Sequence, residues 1–469
     1  MTLQFCGAAR EVTGSAHLIT LDDGFRILLD CGLYQGGEAD EEGHPMEGFN
    51  EKWLFSPRQI DCLILSHAHI DHTGRVPKLV ADGFKGTIYA THATRDLCAI
   101  MLLDSAKIQE ADAYHDNKRR PPGTPERSPL YTTEDVSNAM SRFAAFGYEQ
   151  WFHVHPRVRV LFRDAGHILG SASVTLEVQE DNRTLRIGFT GDIGRPHRPI
   201  LRDPQPMPEV DYLICESTYG DREHEASPAE IEHLCRIVRH TCEEKKGKLI
   251  IPAFSVGRTQ EVVYMLDQLQ HEGRLPKVPV FVDSPLAIDA TDVFLDHPEC
   301  FDQELHRYMI ENENPFGFKG LQYIRSVEAS KQLNHIQKPC IIIAASGMMN
   351  AGRIRHHLYN NIENWRATFL IIGYCAPNTP GGQLRAGAKS LEIFGEHRQV
   401  LAEIEVMDSF SAHADRTEML QFLDNQRSSV RQMWLVHGTY ERQQVWRDAL
   451  LANGFAAVDI PALGQEASL

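Results

Sequence analysis

The segment Leu65-Ser66-His67-Ala68-His69-Ile70-Asp71-His72-Thr73-Gly74 constrains this chain more than any other. The apolar run 62–65 just ahead of it reads as a buried strand. Residues two apart on an extended chain share a face, so His67 and His69 can aim at one point. A turn into helix then carries Asp71 and His72 towards a second point nearby. Three imidazoles and a carboxylate in so short a run suit zinc, a borderline ion that accepts nitrogen and oxygen ligands. A lone histidine there would more often be a capping or solvated residue, and Asp71 alone would read as a helix N-cap. Four candidate ligands in one H-x-H-x-D-H run favour metal.

At 469 residues the chain is too long for one ordinary domain. Its 42% hydrophobic and 24% charged residues are those of a globular protein, which excludes wholesale disorder. No apolar stretch approaches the length of a spanning helix, so no membrane partner is expected. The N-terminus lacks the pattern of a secretion signal. Ten cysteines without a C-x-x-C pair suit reduced thiols, and a cytoplasmic location is expected. The net charge of −17 disfavours non-specific binding to nucleic acid or membrane surfaces, although a basic channel on an acidic body remains compatible with it.

Along the first two hundred residues, strand-like runs at 26–29, 62–65, 86–89, 158–162, 172–178 and 185–189 alternate with helical periodicity at 94–113 and 133–146. A Pro- and Arg-rich stretch at 117–129 reads as an exposed loop. From about residue 211 the texture changes. Continuous apolar runs at 212–215, 249–252, 280–282, 340–344 and 369–372 are separated by helices such as 228–244 and 258–272. Strands buried on both faces, with helices between them, predict a doubly wound α/β unit. After about residue 394 a strand, helix, strand, helix series returns at 400–406, 416–423, 433–436 and 443–453, and 461–469 reads as a loose tail.

The metal motif is the signature of the metallo-β-lactamase superfamily, and the chain resembles that family in order. Arg26-Ile27-Leu28-Leu29-Asp30-Cys31-Gly32 is similar to its first motif, Gly166-His167-Ile168-Leu169-Gly170 to its third, and Phe189-Thr190-Gly191-Asp192 to its fourth. The resemblance implies that Asp30 orients the site. One ion would take His67, His69, His167 and Asp192; the other would take Asp71, His72, Asp192 and a distant histidine. That histidine is His437, in Trp434-Leu435-Val436-His437-Gly438. Its separation from Asp192 leaves room for the α/β unit read above, and the insertion resembles the β-CASP nucleases. Glu216 in Cys215-Glu216-Ser217-Thr218 fits their motif A, His413 in Ser411-Ala412-His413-Ala414-Asp415 their motif B, and His437 their motif C. On local grounds Asp415 with Glu418 also reads as a capping box, a role compatible with catalysis nearby.

The resemblance implies an αββα metallo-β-lactamase sandwich over 1–210 and 395–469, with a β-CASP domain inserted at 211–394. It further implies a ribonuclease carrying two zinc ions per chain and acting on single-stranded RNA, endonucleolytic with exonuclease activity left open. Asp71, Glu216, His413 and Asp30 would be catalytic; His413 would serve the scissile phosphate, and Glu216 would fix its tautomer. Ser255, Arg258, Ser346, Gly347, Met348, Arg353 and Arg385 are candidate RNA contacts on three turns, where a plain βα turn is the competing explanation. His356, His357, Arg119 and Arg120 would add positive charge. Two departures from relatives stand out: Thr439 where Glu is usual, and Cys375 where Gln is common. A DNA nuclease of the same superfamily and a non-catalytic RNA-binding subunit are the alternatives. Relatives commonly dimerise, which leaves a homodimer open.

Overall fold

The computed structural model describes residues 1–36, 48–121, 123–180, 183–224, 230–373, 375–407 and 411–469. The chain forms two compact units, one from Met1–Glu223 with Ala412–Leu469, the other from His224–Ser411.

The first unit is built on two seven-stranded sheets. One runs in the order Glu466–Ser468, Thr2–Gly7, Ala16–Thr20, Arg26–Leu29, Cys62–Ile64, Thr87–Thr91, Phe143–Phe146. The other runs Val458–Asp459, Gln432–Val436, Tyr212–Glu216, Arg183–Phe189, Ala172–Glu180, Val158–Asp164, Phe152–His155. Strand alternation explains how they pack. Ile27, Leu29, Ile64, Phe162, Val174, Leu176, Ile187, Ile214 and Trp434 share one buried core between the sheets. The odd neighbours Leu213, Cys215, Met433 and Leu435 point to the opposite face of the second sheet. There they meet Met419 and Phe422 of helix Arg416–Phe422, and Trp446 and Leu450 of helix Tyr440–Ala452. Sheets buried on both sides explain the continuous apolar runs. The result is the αββα sandwich expected.

The second unit holds an all-parallel sheet in the order Leu321–Tyr323, Val280–Val282, Cys340–Ala344, Lys248–Pro252, Thr368–Ile372, Glu403–Met407. Helices such as Arg258–His271, Pro285–Asp296 and Ile354–Asn361 alternate with its strands, and a hairpin, Ser390–Ile393 with Glu396–Gln399, precedes the last one. This is the α/β unit expected as an insertion.

Several details differ from the sequence reading. The run 212–215 lies in the sandwich, paired on both sides, rather than in the inserted sheet. Glu403–Met407 extends the inserted sheet instead of opening the return to the sandwich. The unit boundaries accordingly fall near 224 and 411, not near 210 and 394. The helix expected at 133–146 stops at Met140, because Phe143–Phe146 pairs with Ile88–Thr91. The helix before the basic loop runs on to Arg119. The supposed tail forms a strand against Thr2–Gln4, with Ala467 and Leu469 on the core. The expected helix start at 228 lies outside the described residues. Among the described residues no helix is long and apolar enough to cross a membrane.

Candidate metal centre

Strand ends place the site. His67 and His69 follow Cys62–Ile64, Asp192 follows Arg183–Phe189, and Glu216 ends Tyr212–Glu216. Asp30 and His437 each sit directly after a strand in left-handed backbone, at φ 58° and 55°. That conformation is costly for a side chain with a Cβ, so the surrounding fold holds both residues against local preference.

Four residues converge on one point. His69 Nδ1 lies 3.0 Å from His67 Nε2 and 3.2 Å from His167 Nε2, and Asp192 Oδ2 stands 3.5 Å from each of those two Nε2 atoms. A second set gathers beside it. His437 Nε2 is 3.5 Å from Asp71 Oδ2, while Asp192 Oδ1 is 3.3 Å from His72 Nε2 and 3.7 Å from His437 Nε2. One carboxylate therefore faces both sets, one oxygen to each.

Neighbouring groups decide which ring nitrogens carry protons. Ser66 Oγ donates to Asp30 Oδ2 at 2.8 Å and so accepts from His67 Nδ1 at 3.1 Å. His72 Nδ1 donates to Asp30 Oδ2 at 2.6 Å, and His167 Nδ1 to the Ala412 carbonyl at 3.4 Å. Thr218 Oγ1 donates to the His437 carbonyl at 3.1 Å and accepts from His437 Nδ1 at 2.9 Å. With Nδ1 so engaged, each Nε2 faces the pocket. Burial lowers His72 and His437, but Asp192 with Asp30 holds the first well above its ordinary value, and Asp192 with Asp71 holds the second above it. A cation bound there would displace a proton from each.

Those nitrogens test whether a cation fits. His72 Nε2, His437 Nε2 and Asp192 Oδ1 are buried without a hydrogen-bond partner. Buried polar atoms rarely stay unsatisfied, so convergent ones mark a ligand set. Donors at zinc bond lengths in a tetrahedron stand about 3.3–3.5 Å apart, close to the separations here. Burial pushes the His67 and His167 imidazoles well below their ordinary value, and His69 down to about 4, which keeps them in the lone-pair form. Burial opposes ionisation of Asp192, yet His437, His72 and His67 outweigh it and hold the carboxyl well below the usual range. Asp71 and Asp192, both held below the usual carboxylate range, thus bring negative charge to one largely buried cluster, where a cation is the natural counterpart.

Beside this pocket His413 Nδ1 lies 3.2 Å from Glu216 Oε2. Glu216 also accepts from the Ile193 and Thr218 backbone N–H groups. Burial lowers the His413 imidazole, but Glu216, with Asp192 and Asp71, overcomes this and holds it up to about 9. The Asp415–Glu418 capping box is present and starts the helix that follows the His413 loop. Thr439 occupies the N-cap position of helix Tyr440–Ala452, with no side-chain cap bond.

Ser66 and Thr218 are the residues sequence reasoning missed. Each adjoins a motif residue, but a hydroxyl beside a motif carries no signal of its own.

The remaining candidates lie in the second unit, where three loops meet at the C-terminal edge of the parallel sheet. Gly347 is buried so closely against the Phe254 ring that a Cβ would meet it at 2.9 Å. Gly381 N donates to the Met348 carbonyl, and the Cys375 thiol approaches the Gly347 carbonyl at 3.7 Å. Ser255 Oγ contacts Ser284 Oγ, and Ser346 Oγ donates to Asn350 within its own loop. Arg258 reaches Glu261 on its own helix, and exposed Arg385 donates to the Gly373 carbonyl. Tyr374, in the third segment, lies outside the described residues, as do Ser409 and Phe410 ahead of His413. Two expectations need correction. Arg353 turns inward, donating to Asp283 and to the Ile324 and Arg325 carbonyls. His357 is fully buried, bonded to Asp283 and Asn334. Neither offers charge to a groove.

Known proteins match in the same arrangement. Residues 9–223 match the metallo-beta-lactamase superfamily, 259–384 the Beta-Casp domain and 398–461 the Zn-dependent metallo-hydrolase RNA specificity domain. The protein named Ribonuclease TTHA0252 of Thermus thermophilus is 35% identical over 99% of this chain and 96% of its own. Transcription termination factor FttA of Methanosarcina mazei is 31% identical over 92% of this chain and 66% of its own. Among solved structures, the Rm3 metallo-beta-lactamase aligns at 18% identity over 40% of this chain and 58% of that one, with a TM-score of 0.23, a likeness too slight to argue from.

Proposed function

The chain belongs to the metallo-beta-lactamase superfamily, in the branch carrying a Beta-Casp domain, and we propose that it is a metal-dependent ribonuclease of single-stranded RNA. The observation that carries this reading is Asp192, whose two oxygens face two separate histidine sets with the His413–Glu216 pair alongside. The first set comprises His67, His69, His167 and Asp192, and the second Asp71, His72, Asp192 and His437. Their nitrogen and oxygen donors suit zinc, two ions per chain. Ions bound there would supply water of lowered pKa and neutralise charge on the attacked phosphate.

The chain's own groups do the rest. Asp30 and Thr218 fix ring tautomers, and Asp192 is buried between the two ligand sets, with His69 and Asp71 partly exposed. His413, with its Nδ1 proton directed to Glu216, presents Nε2 to the substrate side. A protonated ring there donates to a phosphate oxygen or to the departing 3′ oxygen as charge develops. Glu216 keeps that ring charged at neutral pH. The outcome is hydrolysis of a phosphodiester, endonucleolytic in the main and with exonuclease action included in the proposal.

All ten cysteines are buried and unpaired, which supports a reducing, cytoplasmic setting. A homodimer completes the proposal and is measured by sedimentation velocity. The deciding experiment incubates the protein with end-labelled single-stranded RNA and matched DNA, with and without a chelator. RNA fragments that vanish with chelator are expected. Cleavage of DNA alone would establish the DNA-nuclease alternative, and binding without cleavage would leave an RNA-binding subunit.

A further inference from the structure

The hairpin Ser390–Ile393 with Glu396–Gln399 turns on two residues, Phe394 and Gly395, and Ile393 faces Glu396 across it. Both turn residues are left-handed, at φ 55° and 79°. A two-residue turn of this kind favours Asn-Gly, because a bulky side chain at positive φ is strained. Phe394 is also 45% exposed, so the strain is not offset by full burial of the ring.

The surroundings of the ring are specific. The His356 imidazole stacks on it, centroids 4.9 Å apart and planes 30° apart. The Arg355 guanidinium lies 4.4 Å from the Phe394 centroid, and Tyr359 stands 5.8 Å away at 60°. Arg398, 4.0 Å over Tyr359, is taken up by Glu363 and Glu396. Among the described residues no ion pair within 4.0 Å joins Arg355 to a carboxylate, unlike its neighbours Arg353 and His357, which both meet Asp283. Burial, then the neighbouring His357, Arg355 and Lys331, holds the exposed His356 imidazole below its ordinary value, so it is a flat neutral ring at neutral pH. Arg355 and His356 open helix Ile354–Asn361, directly after the glycine-bearing loop 345–352.

We propose that Phe394, His356 and Arg355 form a stacking platform for bases of single-stranded RNA, with Arg355 taking an adjoining phosphate. Every base offers a π-face, so such a platform binds without reading sequence. An unpaired guanidinium beside stacked rings complements the base and phosphate of a nucleotide, which an apolar protein surface would not. The strained turn is then the cost of holding an aromatic ring at the surface. The inference rests on the ribonuclease reading for its ligand, and it adds a contact remote in sequence from the metal motifs.

The test measures Kd for a labelled oligoadenylate of about twenty nucleotides by fluorescence anisotropy, in chelator so that the strand stays intact. Phe394→Asn should weaken binding about tenfold, Arg355→Gln should weaken it and flatten its salt dependence, and Phe394→Tyr should bind as wild type. Thermal unfolding of Phe394→Asn should occur at or above the wild-type temperature, because Asn suits the turn. An unchanged Kd in Phe394→Asn overturns the platform even where the chain cleaves RNA. A wild type that binds RNA but cleaves none overturns the nuclease reading, while the Kd series still decides the platform. Self-association of the wild type, without RNA, that Phe394→Asn abolishes while leaving Kd unchanged would make this a protein contact and overturn the RNA assignment.

Discussion

The hydroxyl of Thr218 lies 2.9 Å from Nδ1 of His437 and holds that ring by accepting its proton. The bond leaves Nε2 aimed at Asp71 and Asp192. Thr218→Val keeps the shape and removes the acceptor. Metal affinity at the His437 set should fall about 10- to 100-fold, with the fold retained. Competition with a chromophoric chelator measures it, and a variant that keeps full affinity would show that the hydroxyl does not orient the ligand.

Glu216 acts through His413, so two substitutions separate positioning from direct chemistry. His413→Ala should lower kcat about 10²- to 10⁴-fold with little change in RNA affinity. Glu216→Gln keeps the side-chain shape, gives up one of the two acceptor oxygens and removes the charge that holds His413 up to about 9. The alkaline limb of its rate profile should therefore move to lower pH. A profile that does not shift would assign Glu216 a packing role only.

Metal should also be worth stability, since Asp71 and Asp192 converge with His67, His69, His72, His167 and His437 in two ligand sets. Stripping with chelator should lower the unfolding temperature, and excess zinc should restore it. Ligand at a thousand times its Kd stabilises by about 4 kcal/mol. Calorimetry with added zinc, then magnesium, ranks the ions, and an unfolding temperature indifferent to all of them would refute the ligand sets.

The ligands were legible because metal chemistry demands rare residue types at fixed spacings, and strand ends supply the direction. His437 was placed by motif rather than by proximity, since its partners lie far away in sequence. What could not be read was membership of a sheet. The run at 212–215 looks like any strand covered on both faces, and only its pairing with Arg183–Phe189 and Gln432–Val436 puts it in the sandwich. Phe143–Phe146 likewise has helix-compatible composition until Ile88–Thr91 offers it a ladder. Arg353 was misread for the same reason. An arginine after a glycine loop suggests phosphate, and nothing local reveals an acid 70 residues away.

That acid supplies the last prediction. Asp283 is fully buried; its Oδ1 accepts from Arg353 at 2.7 Å, and its Oδ2 from Ser330 at 2.6 Å and His357 at 2.7 Å. Burial would raise the carboxyl, but the bonds from His357, Ser330 and Arg353 prevail and lower it below the ordinary range. A depressed folded value means that the folded state releases its proton first. The contribution is therefore complete above the unfolded value, near pH 4, and fades as pH falls through the folded one. Acid unfolding of the second unit should begin there, and Asp283→Asn should flatten that limb. Arg353→Ala leaves the buried charge without its guanidinium partner and should cost about 3–5 kcal/mol in urea unfolding. A loss under about 1 kcal/mol, the range of an exposed pair, would mean that Arg353 is free to turn outward after all.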